Sequence, residues 1–208
     1  MNLLFTGPPG SGKGTQAKII AKKLRIPHIS TGDMLRNVKG ELKKEVDSYM
    51  KEGKLIPTDI TLKLLKARFE EKDCKSGFIL DGFPRSLEQA KEIDKIVKIG
   101  NAFNIGISDN EALRRLSGRL NCRQCGAVYN LLTSPKPKND TKCDKDGSQL
   151  YQREDDMTEA IKKRLQIYHQ DTKPLLKHYN SVKINGEQSI EKVTEDIMKA
   201  VKFLNMFK

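Results

Sequence analysis

Short apolar runs alternate along this chain with longer stretches in which apolar residues recur every three or four positions. The apolar runs predict buried strands at residues 2–6, 78–80, 102–107 and 181–185. The helical spacing predicts helices over residues 15–24, 61–72, 87–97, 110–119, 158–179 and 190–204. Strands that alternate with helices are typical of a parallel sheet covered by helices on both faces. The sequence therefore predicts an α/β fold.

Two segments interrupt this alternation. Residues 31–57 are polar and helix-rich where a simple crossover is expected, and residues 121–156 combine three cysteines with many turn-forming residues. Both segments are predicted to be inserts in an α/β core. That core consists of residues 1–30, 58–120 and 157–208.

Composition limits the class of protein. The 208 residues are 37% hydrophobic and 32% charged, which supports a buried core and excludes a wholly disordered chain. No apolar run approaches the length of a membrane span, and the first residues lack the basic and apolar regions of a secretion signal. The net charge of +12 favours an anionic partner. Four cysteines without an export signal favour a reducing compartment, so we expect a cytoplasmic protein that does not associate with membranes.

A glycine-rich loop follows the first predicted strand and opens the first predicted helix. Its sequence, GPPGSGKGT at residues 7–15, has the G-x4-G-K pattern of a phosphate-binding loop. Backbone N–H groups of such a loop converge on phosphate oxygens, and the lysine adds a point charge. We therefore expect a nucleoside triphosphate to bind Gly10, Ser11, Gly12, Lys13, Gly14 and Thr15. Because Gly14 stands where most such loops carry Ser or Thr, Thr15 is the hydroxyl expected beside a magnesium ion.

Cysteines in the second insert have the spacing of a structural metal site. The pattern C-x2-C-x17-C-x2-D places Cys122, Cys125, Cys143 and Asp146 in two tight knuckles. Four donors close a tetrahedron and leave no open position for catalysis. We therefore expect a structural Zn2+ that stabilises a segment too short to form its own hydrophobic core. Asp146 is a harder ligand than the cysteine that many such sites carry in the fourth corner.

Arginines and carboxylates recur at informative spacings. Arg115 and Arg119 are four residues apart and are predicted to share one helix face. Asp156 and Glu159 have capping-box spacing, which predicts that a helix begins there. Asp81 follows a buried strand and is expected at the carboxyl edge of the sheet, where it would anchor magnesium through water.

The chain resembles the nucleoside monophosphate kinases, and the adenylate kinase family above all. The loop GPPGSGKGTQ at residues 7–16 carries the first match, and the others follow in the same order along nearly the whole chain. They are STGDMLR at 30–36, GKLIP at 53–57, DGFPR at 81–85 with Gln89, LSGR at 116–119, REDD at 153–156, KRL at 163–165 and NG at 185–186. The resemblance implies the reversible reaction ATP + AMP = 2 ADP with magnesium. It also implies that residues 31–57 bind the monophosphate and that residues 121–156 form a mobile, zinc-containing lid.

The resemblance further implies roles for individual residues. The residues implied to bind AMP are Thr31, Arg36, Lys54, Leu55, Ile56, Gly82, Phe83, Pro84, Arg85, Gln89, Arg153 and Arg164. The residues implied to bind ATP, besides the loop, are Arg119, Val128, Tyr129 and Gln188. The residues implied in catalysis are Lys13, Arg85, Arg115, Arg119, Arg153 and Arg164, the last two closing with Arg115 over both nucleotides. Phosphoryl transfer of this kind depends on positioning and charge neutralisation, so it needs no general base.

Two other functions are compatible with these residues. A kinase that phosphorylates UMP or CMP would share the fold and the arginines, and no single residue excludes a pyrimidine acceptor. A nucleic-acid-binding protein with a nucleotide switch would use the zinc knuckles and the positive charge. Against it, residues 121–156 are charge-balanced, and no basic–aromatic interleaving is present for base stacking. We expect ATP, AMP and ADP as partners, no nucleic acid, and a monomer.

Overall fold

A computed structural model describes residues 1–206, and the predicted core segment 157–208 ends two residues beyond them. The strands are β1 (Asn2–Thr6), β2 (His28–Ser30), β3 (Phe78–Asp81), β4 (Asn101–Gly106), β5 (Arg119–Cys122), β6 (Val128–Asn130), β7 (Leu150–Tyr151) and β8 (Val182–Asn185). The helices are α1 (Lys13–Leu24), α2 (Thr31–Arg36), α3 (Glu41–Lys51), α4 (Thr58–Phe69), α5 (Leu87–Asp94), α6 (Asp109–Ser117), α7 (Thr158–Ile167), α8 (Leu175–His178) and α9 (Ile190–Asn205). Two 3-10 segments cover Lys72–Ser76 and Glu154–Asp156, and a π-helical turn covers Tyr168–Thr172.

Five strands form one parallel sheet in the order β2-β3-β1-β4-β8. The central strand β1 pairs with β3 on one side and β4 on the other, so that Phe5 faces both Asp81 and Phe103. The chain therefore changes direction across the sheet at β1. In open α/β sheets, ligands bind outside the carboxyl ends of the strands at such a switch point.

Alternate residues of the sheet enter two different cores. Leu3 and Phe5 pack with α1 and α9 on one face, whereas Leu4 packs with α4 and α5 on the other. Strands buried on both faces explain why the sequence shows continuous apolar runs instead of alternation. The predicted α/β class is confirmed. Within residues 1–206, no helix combines the length and the apolar character needed to cross a membrane.

A second, smaller sheet lies within the cysteine-rich segment. Its antiparallel order is β6-β5-β7, and its own small core is formed by Cys122, Tyr129, Cys143 and Leu150. Sequence patterning missed these strands because two to four residues carry too few positions for a period to show. It missed β2 for the same reason.

Two predicted helices differ from the structure. The prediction that Arg115 and Arg119 share a helix face is wrong, because α6 ends at Ser117 and Arg119 begins β5, opposite Asn130. The predicted helix over residues 158–179 is interrupted by the π-helical turn and by Pro174, whose ring nitrogen has no hydrogen to donate to the helix. The apolar spacing continues through this break, which is why it predicted one long helix.

Candidate active site

The glycine-rich loop connects β1 to the N-terminus of α1, as predicted. Its first glycine, Gly7, has a φ of +144°, and a Cβ atom there would lie 2.2 Å from the carbonyl oxygen of Ile105. Only glycine fits at this approach to β4. Lys13 curls back over the loop and donates hydrogen bonds of 2.9 Å to the carbonyls of Gly7 and Pro8. The loop therefore forms an anion-binding nest at a helix N-terminus.

One cavity of about 1020 Å³ opens beside this loop at the carboxyl edge of the parallel sheet. It brings together site residues that the sequence separates widely. The predicted residues that line it are Gly10, Ser11, Gly12, Lys13, Gly14, Thr15, Thr31, Arg36, Lys54, Leu55, Ile56, Asp81, Gly82, Phe83, Arg85, Gln89, Arg115, Arg119, Val128, Tyr129, Arg153, Arg164 and Gln188. Pro84 instead lines a smaller cavity of about 70 Å³ below it.

Cationic groups crowd the middle of the large cavity. Removal from bulk water lowers the pKa of Lys13 to about 8, an effect that Asp81 opposes and that Arg85 reinforces. Burial likewise lowers the pKa of Arg85 to about 10, with the Arg164 guanidinium adding to the shift. Groups whose charged forms are this costly without a ligand are suited to a polyanion.

Arg153 gives the most direct sign that the cavity suits an anion. Burial lowers its pKa to about 10, and the neighbouring Arg119 and Arg36 add to the effect. Its Nε atom is buried and has no hydrogen-bond partner among the residues that the structure describes. Buried N–H groups are nearly always paired, so an acceptor is expected here when the site is filled.

Two carboxylates, Asp155 and Asp156, form ion pairs with arginines of the cavity. Arg119 donates to both oxygens of Asp156 through Nε (2.7 Å) and Nη2 (2.6 Å), and Arg164 Nη1 donates to Asp156 Oδ1 at 3.2 Å. Asp155 pairs with Arg164 at 3.0 Å. The capping-box prediction for Asp156 is wrong: α7 follows Met157 without a side-chain cap, because the Asp156 carboxylate is engaged by two guanidiniums.

Arg115 lies apart from this group. Its Nε donates to Glu111 Oε1 at 2.7 Å and its Nη2 donates to the Gly186 carbonyl at 2.9 Å. Its guanidinium plane is thus fixed beside the loop that follows β8, near Gln188. Among the predicted residues for this end of the cavity, Val128 is exposed, whereas Tyr129 is buried with its hydroxyl 3.6 Å from Cys143 Sγ.

Asp81 is buried at the end of β3, and its carboxylate and the Thr15 hydroxyl are oxygen donors that line the same cavity. A Cβ atom at Gly14 would lie 3.3 Å from Asp81 Oδ2, a tight contact that the glycine avoids. Carboxylate and hydroxyl oxygens in a phosphate-binding cavity suit Mg2+, which prefers to keep several waters. The donor set therefore fits the predicted ion.

The opposite end of the cavity is built by α2, α3 and the loop after β3. Thr31 donates to the Asp81 carbonyl at 3.1 Å, and Gln89 Oε1 accepts from the Arg85 N–H at 2.8 Å. Arg36 pairs with Asp33 at 2.6 Å, and the Ser30 hydroxyl caps α2 by accepting the N–H of Asp33. Hydrogen bonding to Arg36 holds the pKa of Asp33 below its usual value against the opposing effect of burial.

The four predicted metal ligands form one cluster. One ligand atom from each of Cys122, Cys125, Cys143 and Asp146 lies within 4.8 Å of the others. Cys125 Sγ and Cys143 Sγ are 3.6 Å apart, and Cys122 Sγ is 3.3 Å from Asp146 Oδ2. A tetrahedral Zn2+ with Zn–S bonds of about 2.3 Å places its ligands at about this separation. The cluster therefore fits the predicted ion.

Sequence reasoning missed two residues at the cavity. His28 lines the cavity with its Nε2 3.4 Å from Asp81 Oδ2. It sits on the three-residue strand β2, which patterning does not detect. Lys18 extends from α1 and donates to the Gly126 carbonyl at 3.2 Å. That contact joins residues 108 positions apart, so no local signal predicts it.

Comparison with known proteins agrees with this geometry. The family model for adenylate kinase matches residues 5–184. An adenylate kinase of Archaeoglobus fulgidus is 46% identical over 209 residues, covering 95% of this chain and 96% of the relative. One of Methanocella arvoryzae is 45% identical and covers 98% and 100%. One of Staphylococcus epidermidis is 45% identical and covers 95% and 97%.

Proposed function

The chain belongs to the adenylate kinase family, and from that premise we propose a role for each residue of its active site. The enzyme is a phosphotransferase that catalyses ATP + AMP = 2 ADP. The observation that carries the proposal is the convergence of Lys13, Arg85, Arg119, Arg153 and Arg164 in one cavity of about 1020 Å³. Neither alternative function is favoured by the relatives.

The cationic groups do the chemical work by neutralising and aligning phosphates. Lys13 and Arg119 hold the phosphates of ATP, and Arg36 and Arg85 hold the phosphate of AMP. The attacking phosphate is already anionic at neutral pH, so no side chain has to remove a proton from it. Arg153 and Arg164 lie between the two groups and offset the charge shared in the transition state. The unpaired Nε of Arg153 supports this role.

Magnesium belongs to the donor side of the cavity. Mg2+ bound with ATP would neutralise part of the charge of the phosphates. Asp81 would anchor it through water, and Thr15 would supply a hydroxyl beside it. His28 contacts Asp81 and so limits where that carboxylate can point.

The two bases occupy opposite ends of the cavity. Thr31, Gln89 and the backbone of residues 54–56 receive the adenine of AMP, with Gly82 and Phe83 beside them. At the other end, the backbone of Gln188 receives the adenine of ATP. Arg115, which the resemblance placed over the phosphates, is better suited to lie against this adenine, since Glu111 and Gly186 hold its guanidinium plane in place.

The inserts close over the nucleotides and exclude water. Residues 31–57 carry AMP contacts, and residues 121–156 form the lid, stapled by Zn2+ on Cys122, Cys125, Cys143 and Asp146. The compact cysteine–carboxylate cluster supports the metal assignment. A monomeric state and a cytoplasmic location stay predictions.

The decisive measurement is the initial rate of ADP formation from magnesium-ATP with AMP, UMP, CMP and GMP offered separately. We expect a strong preference for AMP. A preference for a pyrimidine acceptor would keep the mechanism and discard the adenine contacts at Thr31 and Gln89. No transfer to any acceptor would overturn the enzymatic function.

Two variants test the phosphate-binding residues in the same assay. Lys13→Met and Arg85→Ala should each lower turnover by ~10²-fold or more, since each removes a preorganised charge from the transition state. Lys22→Met is the matched control, because Lys22 is exposed on the same helix α1 and away from the cavity. Near-normal turnover in either site variant would contradict the role given to that residue.

A further inference from the structure

Three hydrogen bonds hold Arg85 in place. Its main-chain N–H donates to Gln89 Oε1 at 2.8 Å, and its Nε donates to the Gly82 carbonyl at 2.7 Å. Its own carbonyl accepts from Thr172 Oγ1 at 2.8 Å. Among the described residues 1–206, its terminal nitrogens Nη1 and Nη2 have no hydrogen-bond partner. The residue is thus fixed through its backbone and its Nε, while the phosphate-binding end is left free.

The hydroxyl of Thr172 comes from a different part of the chain, 87 residues further on. Thr172 is buried, with 6% of its surface exposed, and ends the π-helical turn Tyr168–Thr172 that continues α7. Lys173 N–H donates to the Tyr168 carbonyl at 2.8 Å, the i to i−5 bond of a π-helix. Threonine hydroxyls within helices often bond to a carbonyl of the preceding turn. This one instead bonds to the carbonyl of Arg85, and π-turns are frequent where a helix serves a functional site.

Packing alone does not hold the Arg85 backbone at this point. The cavity of about 70 Å³ is bordered by Arg85, Thr172, Tyr168 and Lys13, so there is empty space into which the loop could move. Arg164 borders the same cavity and lies on the helix that leads into the π-turn. One continuous helical element therefore supplies Arg164 directly and fixes Arg85 from behind.

We propose that Thr172 is a positioning residue of the acceptor-phosphate site: its hydroxyl fixes the Arg85 carbonyl and thereby the guanidinium that binds the phosphate of AMP. This inference rests on the proposed role of Arg85. Thr172 borders the small cavity and does not line the large one, so its effect on AMP is expected to pass through Arg85. Loss of the hydroxyl should therefore weaken the acceptor site selectively.

The test compares Thr172→Val, which removes the hydroxyl at nearly constant volume, with Thr172→Ser, which keeps it. Thr172→Val should raise KM for AMP about five- to tenfold, as expected for one hydrogen bond that holds a charged group, and change KM for ATP less than about twofold. Thr172→Ser should restore KM for AMP to within about twofold of the wild type. Thr172→Ala also lacks the hydroxyl and carries the same expectation if Thr172→Val does not fold.

A stability control separates positioning from general loosening of the fold. Val201→Ala opens a hole in the core between α9 and the sheet, far from the cavity, and should lower Tm without changing either KM. The proposal is overturned if Thr172→Val leaves KM for AMP unchanged, if it raises both KM values equally, or if Thr172→Ser fails to restore binding.

Arg85→Ala distinguishes failure of this inference from failure of the proposed function. If Arg85→Ala leaves KM for AMP unchanged, Arg85 does not bind the acceptor phosphate and the proposed function of that residue fails first. If Arg85→Ala raises KM and Thr172→Val does not, only the positioning role fails. In the double variant, Thr172→Val should add nothing to the effect of Arg85→Ala. An additive increase would contradict action through Arg85.

Discussion

At the scale of single residues, Lys13 shows how a binding site can work against the stability of the free protein. Its pKa falls from 10.5 in the unfolded chain to about 8 in the fold, chiefly because the ammonium leaves bulk water. Below pH 8 both states are protonated, so the fold bears the whole cost of the buried charge. Between pH 8 and 10.5 only the unfolded state keeps the proton, so the contribution to stability rises with pH.

This linkage predicts a pH-dependent difference between Lys13→Met and the wild type. The variant lacks the buried charge, so its stability relative to the wild type should fall by about 3 kcal/mol as the pH rises from 8 to 10.5. Denaturant unfolding of the nucleotide-free proteins at several pH values measures it. Lys22→Met, which removes an exposed lysine of the same helix, should show no such trend. A constant difference for Lys13→Met across this range would contradict the assigned pKa.

Residue types were predictable from the sequence, but the partners of each residue were not. The phosphate loop, the arginines and Asp81 could be recognised in the sequence because few functions other than phosphoryl transfer need these groups in this order. Asp156 is the clearest failure, because its spacing from Glu159 fits a helix cap whereas its carboxylate accepts hydrogen bonds from two partly buried guanidiniums. A local pattern cannot register charges that approach from elsewhere in the chain.

At the scale of elements, the length of an element decided whether it could be predicted. Strands β1, β3 and β4 are buried on both faces, and their apolar runs located them to within a residue or two. The edge strand β8 buries only Ile184, but its short run before Gly186 located it equally well. Strand β2 has three residues and owes its place to pairing with β3, where Ser30 lies opposite Asp81. That pairing brings His28 to the cavity, so the missed strand explains the missed residue.

The small sheet β6-β5-β7 should depend on its metal for stability. Its core is only a handful of side chains, two of them the cysteines Cys122 and Cys143, so the proposed Zn2+ would contribute much of its stability. We expect a strong chelator to lower Tm, and Cys143→Ser to lower it without chelator. Asp146→Cys should tighten zinc binding, since thiolate is the softer ligand.

Cys74→Ser provides the control for this metal prediction. Cys74 is a buried cysteine outside the cluster, so its variant should keep the full response to chelator whatever its own Tm. Elemental analysis of the purified protein completes the measurement. An unchanged melting curve together with an absence of zinc would rule out the site.

At the scale of the whole molecule, the cavity is the meeting point of segments from nearly the entire chain. The phosphate loop, the end of β3, the start of β5, α7 and the loop after β8 each contribute a wall. The order of these segments along the sequence indicated a family. The distances between them depend on how the two inserts pack against the core, which the sequence does not show. The contact between Lys18 of α1 and Gly126 of the cysteine-rich segment is one such feature.

The Lys18 contact predicts how strongly the lid is held over the cavity before nucleotides bind. A single exposed hydrogen bond contributes about 1 kcal/mol, so Lys18→Met should lower the ratio of closed to open molecules about fivefold. Small-angle scattering of the nucleotide-free protein should then give a larger radius of gyration than the wild type. Saturation with a bisubstrate analogue should remove the difference, because the phosphates supply far more closing energy than one lysine does. Lys18→Arg keeps a donor and should resemble the wild type, as should Lys22→Met; an unchanged radius in Lys18→Met would show that this contact does not hold the lid.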